Sequence, residues 1–474
     1  MKQSPNSDIC IIGAGSGGLT LAAAAAQLGA KVVLIEESKM GGECLNNGCI
    51  PSKSLLASAH VAKIIKNSQA FGINATLNDV NYAKVHDHIH KVIEKIAPHD
   101  SSTRFTELGV TVISGKAQFV DAETVKVNEQ LIKARRFVIA TGSSPAIPSI
   151  QGLSTVPFFT NETIFDSHEK PSQLIIIGGG PIGCELAQAF LLLGSHVTLL
   201  EAQTLLPKDD EELADIIRKQ LIQDGLDLYE NVKINNIIKS DGKVAVIFDS
   251  NGTPRTIDGS HLLIAAGRKP HFTDLNLEAA NVIYNVKGIQ VNNRLQTSNK
   301  KIYAIGDVAG EFHFTHVANY HAGIVLKNIL FHCQSKVNYK SLPWVTFTMP
   351  ELAQVGMTEA AAKQAGKSVH VFEAEFNDND RANAELQTGG KIKVILSRFG
   401  KILGVSIVGP RAGELIMPWG IAINQGLSMK AMASVIVAYP TLSEINKAVA
   451  INYYKPKLFS GIMKFIVKLL AKLG

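Results

Sequence analysis

Apolar and small residues alternate in blocks near the N-terminus, and these blocks predict a strand, a turn, a helix and a second strand. Residues 8–12 and 31–36 are short apolar runs typical of buried strands. Between them lie a glycine-rich stretch and an alanine-rich stretch, which predict a tight turn that opens a helix. The pattern therefore predicts a βαβ unit with two parallel strands.

The same pattern recurs 165 residues further along the chain, where residues 173–177 and 196–201 repeat the two strands. Each copy carries the spacing G-x-G-x-x-G, formed by Gly13, Gly15 and Gly18 in the first and by Gly178, Gly180 and Gly183 in the second. Each copy also ends in an acid, Glu36 or Glu201, 23 residues after its first glycine. This agreement indicates one structural unit that is used twice.

Such a unit binds a dinucleotide for physical reasons. The first glycine makes the tight turn, the second lets the backbone approach a pyrophosphate, and the third lets the helix pack on the strand. Backbone N–H groups at the helix start hold the phosphates, and the terminal acid accepts hydrogen bonds from ribose hydroxyls. Two units predict two dinucleotides. Glu201 favours NADH over NADPH, because a carboxylate repels a 2′-phosphate.

Composition narrows the class of protein. The chain has 474 residues, of which 46% are hydrophobic, enough for about three domains with sizeable cores. No apolar run reaches the ~18–20 residues that span a bilayer. Of the 47 basic residues, five are lysines within residues 451–474, where no acid occurs. The remaining 42 basic residues nearly balance 41 acidic ones, so we predict no nucleic-acid binding.

The alanine-rich N-terminus superficially resembles a secretion signal, but the βαβ unit explains its strand and its glycines better. Five cysteines in the whole chain are too few for a disulfide-stapled secreted protein. We therefore expect a cytoplasmic protein.

A cysteine pair follows the first βαβ unit. Cys44 and Cys49 are separated by four residues, and Pro51 predicts the first turn of a helix that continues through residues 54–65. Cys49 then lies at the N-terminus of this helix, where the helix dipole stabilises a thiolate. Lys53 follows one turn later on the same face.

Three interpretations of this pair compete. A zinc half-site needs a second cysteine or histidine pair, whereas Cys10, Cys184 and Cys333 are scattered singly. Two buried structural cysteines would leave the flanking glycines unexplained. A reversible disulfide stacked on a flavin explains the helix start, the lysine and the adjacent nucleotide-binding unit, and we favour it.

Four segments together resemble the flavin-linked disulfide oxidoreductases, a family that includes dihydrolipoamide dehydrogenase, glutathione reductase and mercuric reductase. They are residues 41–53, 140–143, 267–270 and 303–308. The resemblance implies an α/β fold with two Rossmann-like domains and a C-terminal α+β dimerisation domain. The implied boundaries are 1–145 and 269–340 for the FAD-binding domain, 146–268 for the NAD(P)-binding domain and 341–455 for the dimerisation domain. Residues 456–474 then form a basic amphipathic tail.

The resemblance also implies roles for single residues. Cys49 is expected to face the flavin and Cys44 to exchange with the substrate, while Lys53 lies near the flavin and pairs with Glu185. The expected FAD contacts are Gly13, Gly15, Gly18, Glu36, Gly42, Lys53, Thr141, Gly142 and Asp307. The expected NAD contacts are Gly178, Gly180, Gly183, Glu201 and Gly267. The resemblance implies a homodimer whose two active sites are each built from both chains, and we predict no metal site.

One departure limits the choice of substrate. Disulfide-reducing members carry His-Pro-Thr-x-x-Glu near the C-terminus, whereas residues 439–444 read Tyr-Pro-Thr-Leu-Ser-Glu. The histidine is the family's acid–base group and the glutamate orients it, so Tyr439 and Glu444 take those places in the predicted catalytic set. A phenol titrates near ~10, against ~6.5 for imidazole, and is a poor base at neutral pH. Efficient turnover of dihydrolipoamide or glutathione is therefore in doubt.

Mercuric reductases also resemble the chain, because they carry a tyrosine at this place and a motif like Gln188-Ala189-Phe190. They also carry a C-terminal cysteine pair and an N-terminal metal-binding domain, and we expect neither here, since no cysteine follows Cys333. Three functions stay open. The first is electron transfer between NADH and a disulfide or dithiol, the second is reduction of a metal ion or quinone, and the third is a flavoprotein recruited by its tail.

Smaller patterns complete the predictions. His86 and His90 share one helical face, and without acids or cysteines nearby we expect a solvated face rather than a metal pair. His313 and His316 follow Asp307 and are candidates to line the flavin site. Residues 462–473 predict an amphipathic helix with a lysine every four residues. Its apolar face is expected either on an anionic membrane surface or against the dimer body. That face comprises Ile462, Phe465, Ile466, Leu469, Leu470 and Leu473.

Overall fold

The computed structural model of the chain describes residues 7–240, 242–310 and 312–472. Of the sequence predictions, residues 1–6 of the first domain and residues 473–474 of the tail, including Leu473, lie outside these ranges.

The first region contains the cysteine pair and the first glycine loop. Its strands and helices are β1 (Ser7–Ile12), α1 (Ser16–Gln27), β2 (Val32–Glu36), α2 (Gly42–Asn46), α3 (Cys49–Asn67), α4 (Tyr82–Ile96), α5 (Ser102–Glu107), β3 (Thr111–Ser114), β4 (Ala117–Asp121), β5 (Thr124–Val127), β6 (Gln130–Ile139) and β7 (Ser143–Pro145). The two predicted strands are thus β1 and β2, and the predicted helix is α3, which begins at Cys49.

Strand β1 lies inside the first sheet and explains the N-terminal apolar run. The sheet has the order β3-β2-β1-β6-β5-β4, and β1 is parallel to both β2 and β6. Ile9 and Ile11 pack into one core and Cys10 and Ile12 into another, so both faces of the strand are buried. A strand buried on both faces needs a continuous apolar run rather than alternation.

The second region repeats the same arrangement. Its elements are β8 (Gln173–Ile177), α6 (Pro181–Leu192), β9 (His196–Leu200), α7 (Glu211–Gln223), β10 (Asp227–Tyr229), β11 (Val232–Ser240), β12 (Lys243–Ser250), β13 (Thr253–Gly259), β14 (His261–Ile264) and β15 (Arg268–Pro270). The order β10-β9-β8-β14 forms a parallel sheet, and β11-β12-β13 forms an antiparallel one.

The chain then returns to the first region. Strand β15 pairs with β7, and the next elements are β16 (Tyr284–Asn285), β17 (Gly288–Ile289), β18 (Ile302–Ala304) and α8 (Thr315–Leu330). Strand β18 pairs in parallel with β6 and becomes the seventh strand of the first sheet. The second parallel sheet is therefore inserted between two parts of the first region.

The last region is built on an antiparallel sheet. Its elements are β19 (Pro343–Thr346), β20 (Glu351–Gly356), α9 (Glu359–Gln364), β21 (Val369–Glu375), α10 (Asp380–Ala384), β22 (Lys391–Ser397), β23 (Ile402–Gly409), α11 (Ala412–Leu415), α12 (Met417–Gln425), α13 (Met429–Ser434), α14 (Glu444–Leu458) and α15 (Gly461–Leu470). The sheet order is β19-β20-β23-β22-β21, and the core on it includes Trp419, Phe376, Ile445 and Val449.

The C-terminal tail is helical, as predicted, but it divides differently. Helix α14 runs past residue 455 and ends at Leu458, and the separate helix α15 begins after the N-cap Ser460, whose hydroxyl accepts a bond from the Met463 N–H at 3.3 Å. No residue of α15 is buried. Within the described ranges, no helix has both the length and the apolarity to cross a bilayer.

Candidate active site

One large cleft runs between the parallel sheets of the first and second regions and reaches the start of the last region. Its volume is about 2150 Å³, well above the ~300–1,000 Å³ of a typical small-molecule pocket. Both glycine loops, both cysteines of the pair, and the segment around Pro343 line it. The cleft therefore has room for more than one extended ligand.

Two glycines of each loop are required by the fold itself. Gly13 and Gly178 have φ values of 106° and 115°, in the left-handed region that side chains rarely adopt. A Cβ on Gly18 or Gly183 would lie 1.9 Å from the carbonyl oxygen of the first glycine of its loop. Helix and strand thus pack too closely at these positions for any other residue.

The middle glycine of each loop is not required by the backbone conformation or by packing within the protein. Gly15 and Gly180 precede α1 and α6 with φ of −77° and −74°, which any residue adopts. A Cβ on Gly180 would have no described atom within 4 Å, and one on Gly15 would meet the Cα of Gly42 at 4.0 Å. Both glycines face the cleft. Each forms a cradle where a pyrophosphate can approach the backbone N–H groups of a helix start, so the residues fit a dinucleotide at each loop.

The two predicted ribose-binding acids are held in the same way. Glu36 ends β2 and accepts hydrogen bonds from the backbone N–H groups of Ala14, at 2.6 Å, and Ser38, at 2.8 Å. Glu201 follows β9 and accepts hydrogen bonds from the backbone N–H groups of Gly179, at 2.5 Å, and Gln203, at 2.8 Å. Both carboxylates line the cleft with oxygen lone pairs left to accept from a ligand.

The cysteine pair lies where three helices meet at the cleft wall. Cys49 is the first residue of α3, and Cys44 lies in α2. Both thiols are free, and the Cys44 and Cys49 side chains interact by a hydrogen bond that shifts the pKa of each. The Sγ of Cys49 is also 3.4 Å from the hydroxyl of Thr315, the first residue of α8.

This geometry divides the two thiols electrostatically. The hydrogen bond from Cys44 lowers the pKa of Cys49 to about 6, and the bond with Thr315 and the charge of Lys53 act in the same direction against burial. The same S–H···S bond and burial raise the pKa of Cys44 above its ordinary value. At neutral pH the pair therefore holds one proton on Cys44 and presents Cys49 as the thiolate.

The structure brings Lys53 and Glu185 together. The Lys53 ammonium lies 2.7 Å from Oε2 of Glu185, which projects from the buried face of α6. The other carboxylate oxygen accepts a 2.9 Å bond from the backbone N–H of Phe347, and the ammonium lies 4.5 Å from the centre of the Phe347 ring. One carboxylate thus connects the first, second and last regions beside the cysteines.

Arg268 links several segments of the cleft lining, a role that the sequence did not predict. Its guanidinium donates to Glu43 of the cysteine-bearing helix α2 and, at 2.8 Å, to the Ser143 hydroxyl. That hydroxyl donates to Asp307, whose carboxylate is also 3.4 Å from Arg268. The motif containing Arg268 was visible in the sequence, but its partners are 125 and 225 residues away.

The other predicted cofactor residues also lie on the cleft. Gly42, Thr141, Gly142, Gly267 and Asp307 all line it. The hydroxyl of Thr141 is tied by a 2.5 Å bond to the carbonyl of His271. The three glycines in this set have positive φ values, 60°, 70° and 125° in chain order, so each turn needs glycine.

Tyr439 and Glu444 lie elsewhere. Neither residue is one of the described residues that line the cleft. Tyr439 is 70% exposed, and its hydroxyl donates a 2.8 Å bond to Asp380. This bond raises the pKa of the phenol, so Tyr439 is a weaker acid than an ordinary tyrosine and stays protonated at neutral pH. Glu444 begins α14 and accepts a long, 3.4 Å bond from the Thr441 N–H.

The expectation of a solvated histidine face on α4 is wrong. His86 is 8% exposed, and its ring is 4.1 Å from that of His90 and 3.8 Å from that of His168. The sequence could not place His168, which comes from the loop after residue 166. Within the described ranges, no group of three or more ligating residues is arranged to hold a metal ion.

His313 and His316 do line the cleft, as the sequence analysis suggested. Burial lowers the pKa of both. His316 is held by a 2.9 Å contact with the carbonyl of Pro343. Nearby, the Trp344 indole donates a 2.7 Å bond to Asp209, whose pKa burial raises to about 6. Sequence patterns did not identify Asp209, because only the fold joins it to Trp344.

The chain matches a known family over most of its length. Residues 7–322 match the family described as pyridine nucleotide-disulphide oxidoreductase, and residues 342–450 match that family's dimerisation domain. The chain therefore belongs to the pyridine nucleotide-disulphide oxidoreductases, which are flavin-dependent enzymes that use FAD and NAD(P)H. This confirms the predicted family and fold class.

Two groups of curated relatives are equally similar. The chain is 35% identical to a mercuric reductase of Lysinibacillus sphaericus, over 95% of this chain and 83% of that protein. It is also 35% identical to a dihydrolipoyl dehydrogenase of Bacillus subtilis, over 92% of this chain and 96% of that protein. Among solved structures, the Cu(II) complex of the HOCl-induced flavoprotein disulfide reductase RclA from Escherichia coli has a TM-score of 0.85 at 28% identity, and covers 94% of this chain and 99% of its own.

Proposed function

We propose that the protein transfers electrons between NADH and a disulfide or dithiol substrate through Cys44 and Cys49. The observation that carries the proposal is the polarised thiol pair, which lies beside the Lys53–Glu185 ion pair in a cleft lined by both dinucleotide cradles. A nicotinamide nucleotide, a flavin and a thiol pair at one cleft are the parts that such a transfer requires.

The chain's own residues provide the FAD site. We assign its binding to residues 1–145 and 269–340, through Gly13, Gly15, Gly18, Glu36, Gly42, Lys53, Thr141, Gly142 and Asp307. When bound there, FAD supplies the two-electron chemistry that side chains lack. The Lys53 ammonium, oriented by Glu185, places positive charge at the cleft wall where negative charge on a reduced cofactor would be stabilised.

The reduced thiol pair can transfer its electrons by thiol–disulfide exchange. We assign Cys44 as the sulfur that attacks the substrate disulfide. Attack uses the minor form of the pair, in which the single proton has moved from Cys44 to Cys49 and Cys44 is the thiolate. Attack forms a mixed disulfide and releases one substrate sulfur, and Cys49 then displaces the second. One product leaves as a thiol and the other as a thiolate, the pair ends as a disulfide, and two electrons have passed to the substrate.

The nicotinamide site is assigned to residues 146–268, with Gly178, Gly180, Gly183, Glu201 and Gly267. Glu201 lines the cleft, and among these five residues it is the one acid. Its carboxylate favours the free 2′-hydroxyl of NADH over the 2′-phosphate of NADPH. NADH is therefore the proposed coenzyme.

A homodimer accounts for the position of Tyr439. In one chain this side chain is exposed and lies outside the cleft, beside Ile436, which is 95% exposed. We propose that Tyr439 and Glu444 complete the cleft of a second copy, in keeping with the family's dimerisation domain. A cytoplasmic location suits this chemistry, because the thiols must be reduced during the cycle.

A second candidate function is reduction of a metal ion. Tyr439, whose phenol pKa is raised above its ordinary value, is a weak acid and is poorly suited to protonate a departing thiolate. The chain is also as similar to mercuric reductases as to dihydrolipoyl dehydrogenases. A thiol pair with one thiolate is a suitable ligand for a soft metal ion, so the two candidates use the same sulfurs.

An anaerobic NADH titration followed by an acceptor screen tests the proposal. We expect bound flavin, a long-wavelength absorbance band after two electrons per chain, and oxidation of the reduced protein by a disulfide. Faster oxidation by Hg(II) than by lipoamide or glutathione disulfide would favour the second candidate. Protein that binds no flavin after reconstitution with FAD would contradict both.

A further inference from the structure

The helix α15 has an exposed apolar face that the electron-transfer chemistry does not use. Ile462, Phe465 and Leu469 lie on one side of the helix and are 75%, 67% and 51% exposed. Within the described ranges, no residue of the helix is buried or belongs to a hydrophobic core. Large adjacent apolar side chains left in water mark an interaction surface.

A row of lysines runs along another side of the helix. Lys464 and Lys468 follow each other at the spacing of one turn, and Lys472 continues the row just after the helix. With Lys455 and Lys457, residues 451–474 carry five lysines and no acid. The rest of the chain is nearly neutral, so the positive charge is concentrated on this one segment.

The helix is also presented away from the body. The first half of α14 is anchored in the core of the last region by Ile445 and Val449. Its last turns emerge, and Leu458 and Phe459 are 51% and 67% exposed. The match to the family's dimerisation domain ends at residue 450, so the exposed helix lies beyond the part of the chain that this domain accounts for.

We infer that α15 binds the surface of an anionic phospholipid bilayer, lying in the interface rather than crossing it. The apolar face suits the boundary between headgroups and acyl chains, and the lysine row suits acidic headgroups. The charge complementarity selects this occupant over a second copy of the chain, because two tails brought together would place like charges side by side. Two tails per homodimer would strengthen binding by avidity.

Vesicle co-sedimentation of the full chain tests the inference. We expect binding to vesicles of phosphatidylglycerol and phosphatidylcholine that weakens as salt increases, and little binding to phosphatidylcholine alone. Replacing Lys464, Lys468 and Lys472 by Ser should weaken binding on the order of 100-fold. Replacing Ile462, Phe465 and Leu469 by Ser should weaken it at least as much.

Matched controls separate a tail effect from a general one. Lys84, Lys91 and Lys243 are exposed, and replacing all three by Ser removes the same charge from other surfaces. Val286→Ser removes an apolar side chain that is 91% exposed. Both variants should bind vesicles like the natural chain, and thermal unfolding confirms that every variant is folded.

Equal binding by the natural chain and the apolar triple variant would overturn the inference. A second copy as occupant predicts a different result. In that case sedimentation velocity would show that the natural chain forms an assembly larger than a dimer and that the apolar triple variant does not. The natural chain would not bind anionic vesicles, and the inference would also fail.

Discussion

The two glycine-loop units are nearly identical in backbone and differ in their surroundings. The second glycine of each loop has the same conformation, and the third is equally close to the first. Around the first loop, however, a Cβ on Gly17 would meet Ala318 of α8 at 3.2 Å, and one on Gly42 would meet the Cα of Gly15 at 2.6 Å. The second loop has Ile182 where the first has Gly17, and Ile182 lines the open cleft.

This difference teaches how one unit serves two purposes. Helices α2 and α8 enclose the first loop, which suits a cofactor that stays bound. The second loop is open at Gly180, which suits a coenzyme that must exchange in every cycle. The two units also differ one turn into the helix. Thr20 of α1 corresponds to Glu185 of α6, the acid that pairs with Lys53.

The largest effect is expected when the thiol pair is broken and both nucleotide units are left intact. Cys44→Ser and Cys49→Ser each remove a sulfur that the disulfide needs. NADH-dependent reduction of an activated aromatic disulfide, whose thiolate leaves without a proton, should fall by at least about 10³-fold. Anaerobic reduction of bound FAD by NADH should continue, because it depends on the nucleotide units.

Cys333→Ser is the matched control, since Cys333 is an exposed free thiol far from the pair in sequence. It should retain natural activity. If either variant of the pair still reduced the disulfide at the natural rate, electrons would not pass through these sulfurs.

The second prediction separates the two loops directly. Gly15→Ala and Gly180→Ala add one methyl group at equivalent positions that tolerate alanine in the protein alone. The methyl group occupies the space proposed for a pyrophosphate. Gly15→Ala should lower the FAD content of purified protein, and Gly180→Ala should raise the KM for NADH about tenfold or more, or ~1.4 kcal/mol of binding.

Each variant is the control for the other. Flavin content is measured by absorbance after gel filtration, and KM by steady-state kinetics at saturating acceptor. Loss of FAD in Gly180→Ala with full retention in Gly15→Ala would reverse the assignment of the two loops.

The third prediction concerns the position where the helices differ. Glu185→Gln removes the charge that pairs with Lys53 and should slow the reduction of bound flavin by NADH about tenfold, or ~1.4 kcal/mol in barrier. Stopped-flow absorbance measures this step apart from substrate exchange. Thr20→Val changes the equivalent residue of α1, an exposed threonine whose hydroxyl donates to Asn319, and should have no effect. Equal rates in natural protein and Glu185→Gln would remove Glu185 from this role.

Sequence reasoning found the repeated unit because local constraints fix it. A strand buried on both faces, a left-handed Gly13 and a close contact at Gly18 leave few residue choices, so the pattern is visible in the chain. It also found Cys44 and Cys49, because helix start and cysteine spacing are local. Contacts between distant segments left no such pattern.

Arg268 and His86 show why those contacts were missed. The partners of Arg268 come from three segments that only the completed fold brings together. His86 is buried because the loop carrying His168 covers α4, and periodicity within α4 cannot report on a covering loop. Tyr439 lies exposed and outside the cleft of its own chain, and periodicity along the sequence does not report on the proposed contact with a second copy.

The fourth prediction tests the acids that end the two units. Glu201→Gln should raise kcat/KM for NADPH relative to NADH by several-fold, up to about tenfold, because the repulsion of a 2′-phosphate is removed. Glu36→Gln alters the equivalent acid of the first unit and should change flavin retention without changing coenzyme preference. For both variants, the ratio of kcat/KM for NADPH to kcat/KM for NADH is measured from initial rates at low coenzyme concentration. An unchanged preference in Glu201→Gln would mean that other groups select the coenzyme.

The smallest effect is expected at the cluster of His86, His90 and His168, because it lies outside the cleft at α4, which shares a hydrophobic core with β8 and α6 of the second unit. Burial lowers the pKa of His86 below its ordinary value, the charges of His90 and His168 act in the same direction, and Asp87, at 3.7 Å, opposes them. The unfolded chain therefore takes up a proton at a higher pH than the folded protein. The stability provided by neutral His86 is complete above about pH 6.5 and is lost as the pH falls below it.

His168→Gln removes one of these like charges and should flatten the decline of Tm between neutral and mildly acidic pH by a few degrees (~2–4 °C per kcal/mol for a large domain). His196→Gln, which changes an exposed histidine at the start of β9, should leave the decline as it is. Differential scanning fluorimetry across this pH range measures both. A decline that is equally steep in His168→Gln would mean that the histidine cluster does not set the acid sensitivity of the fold.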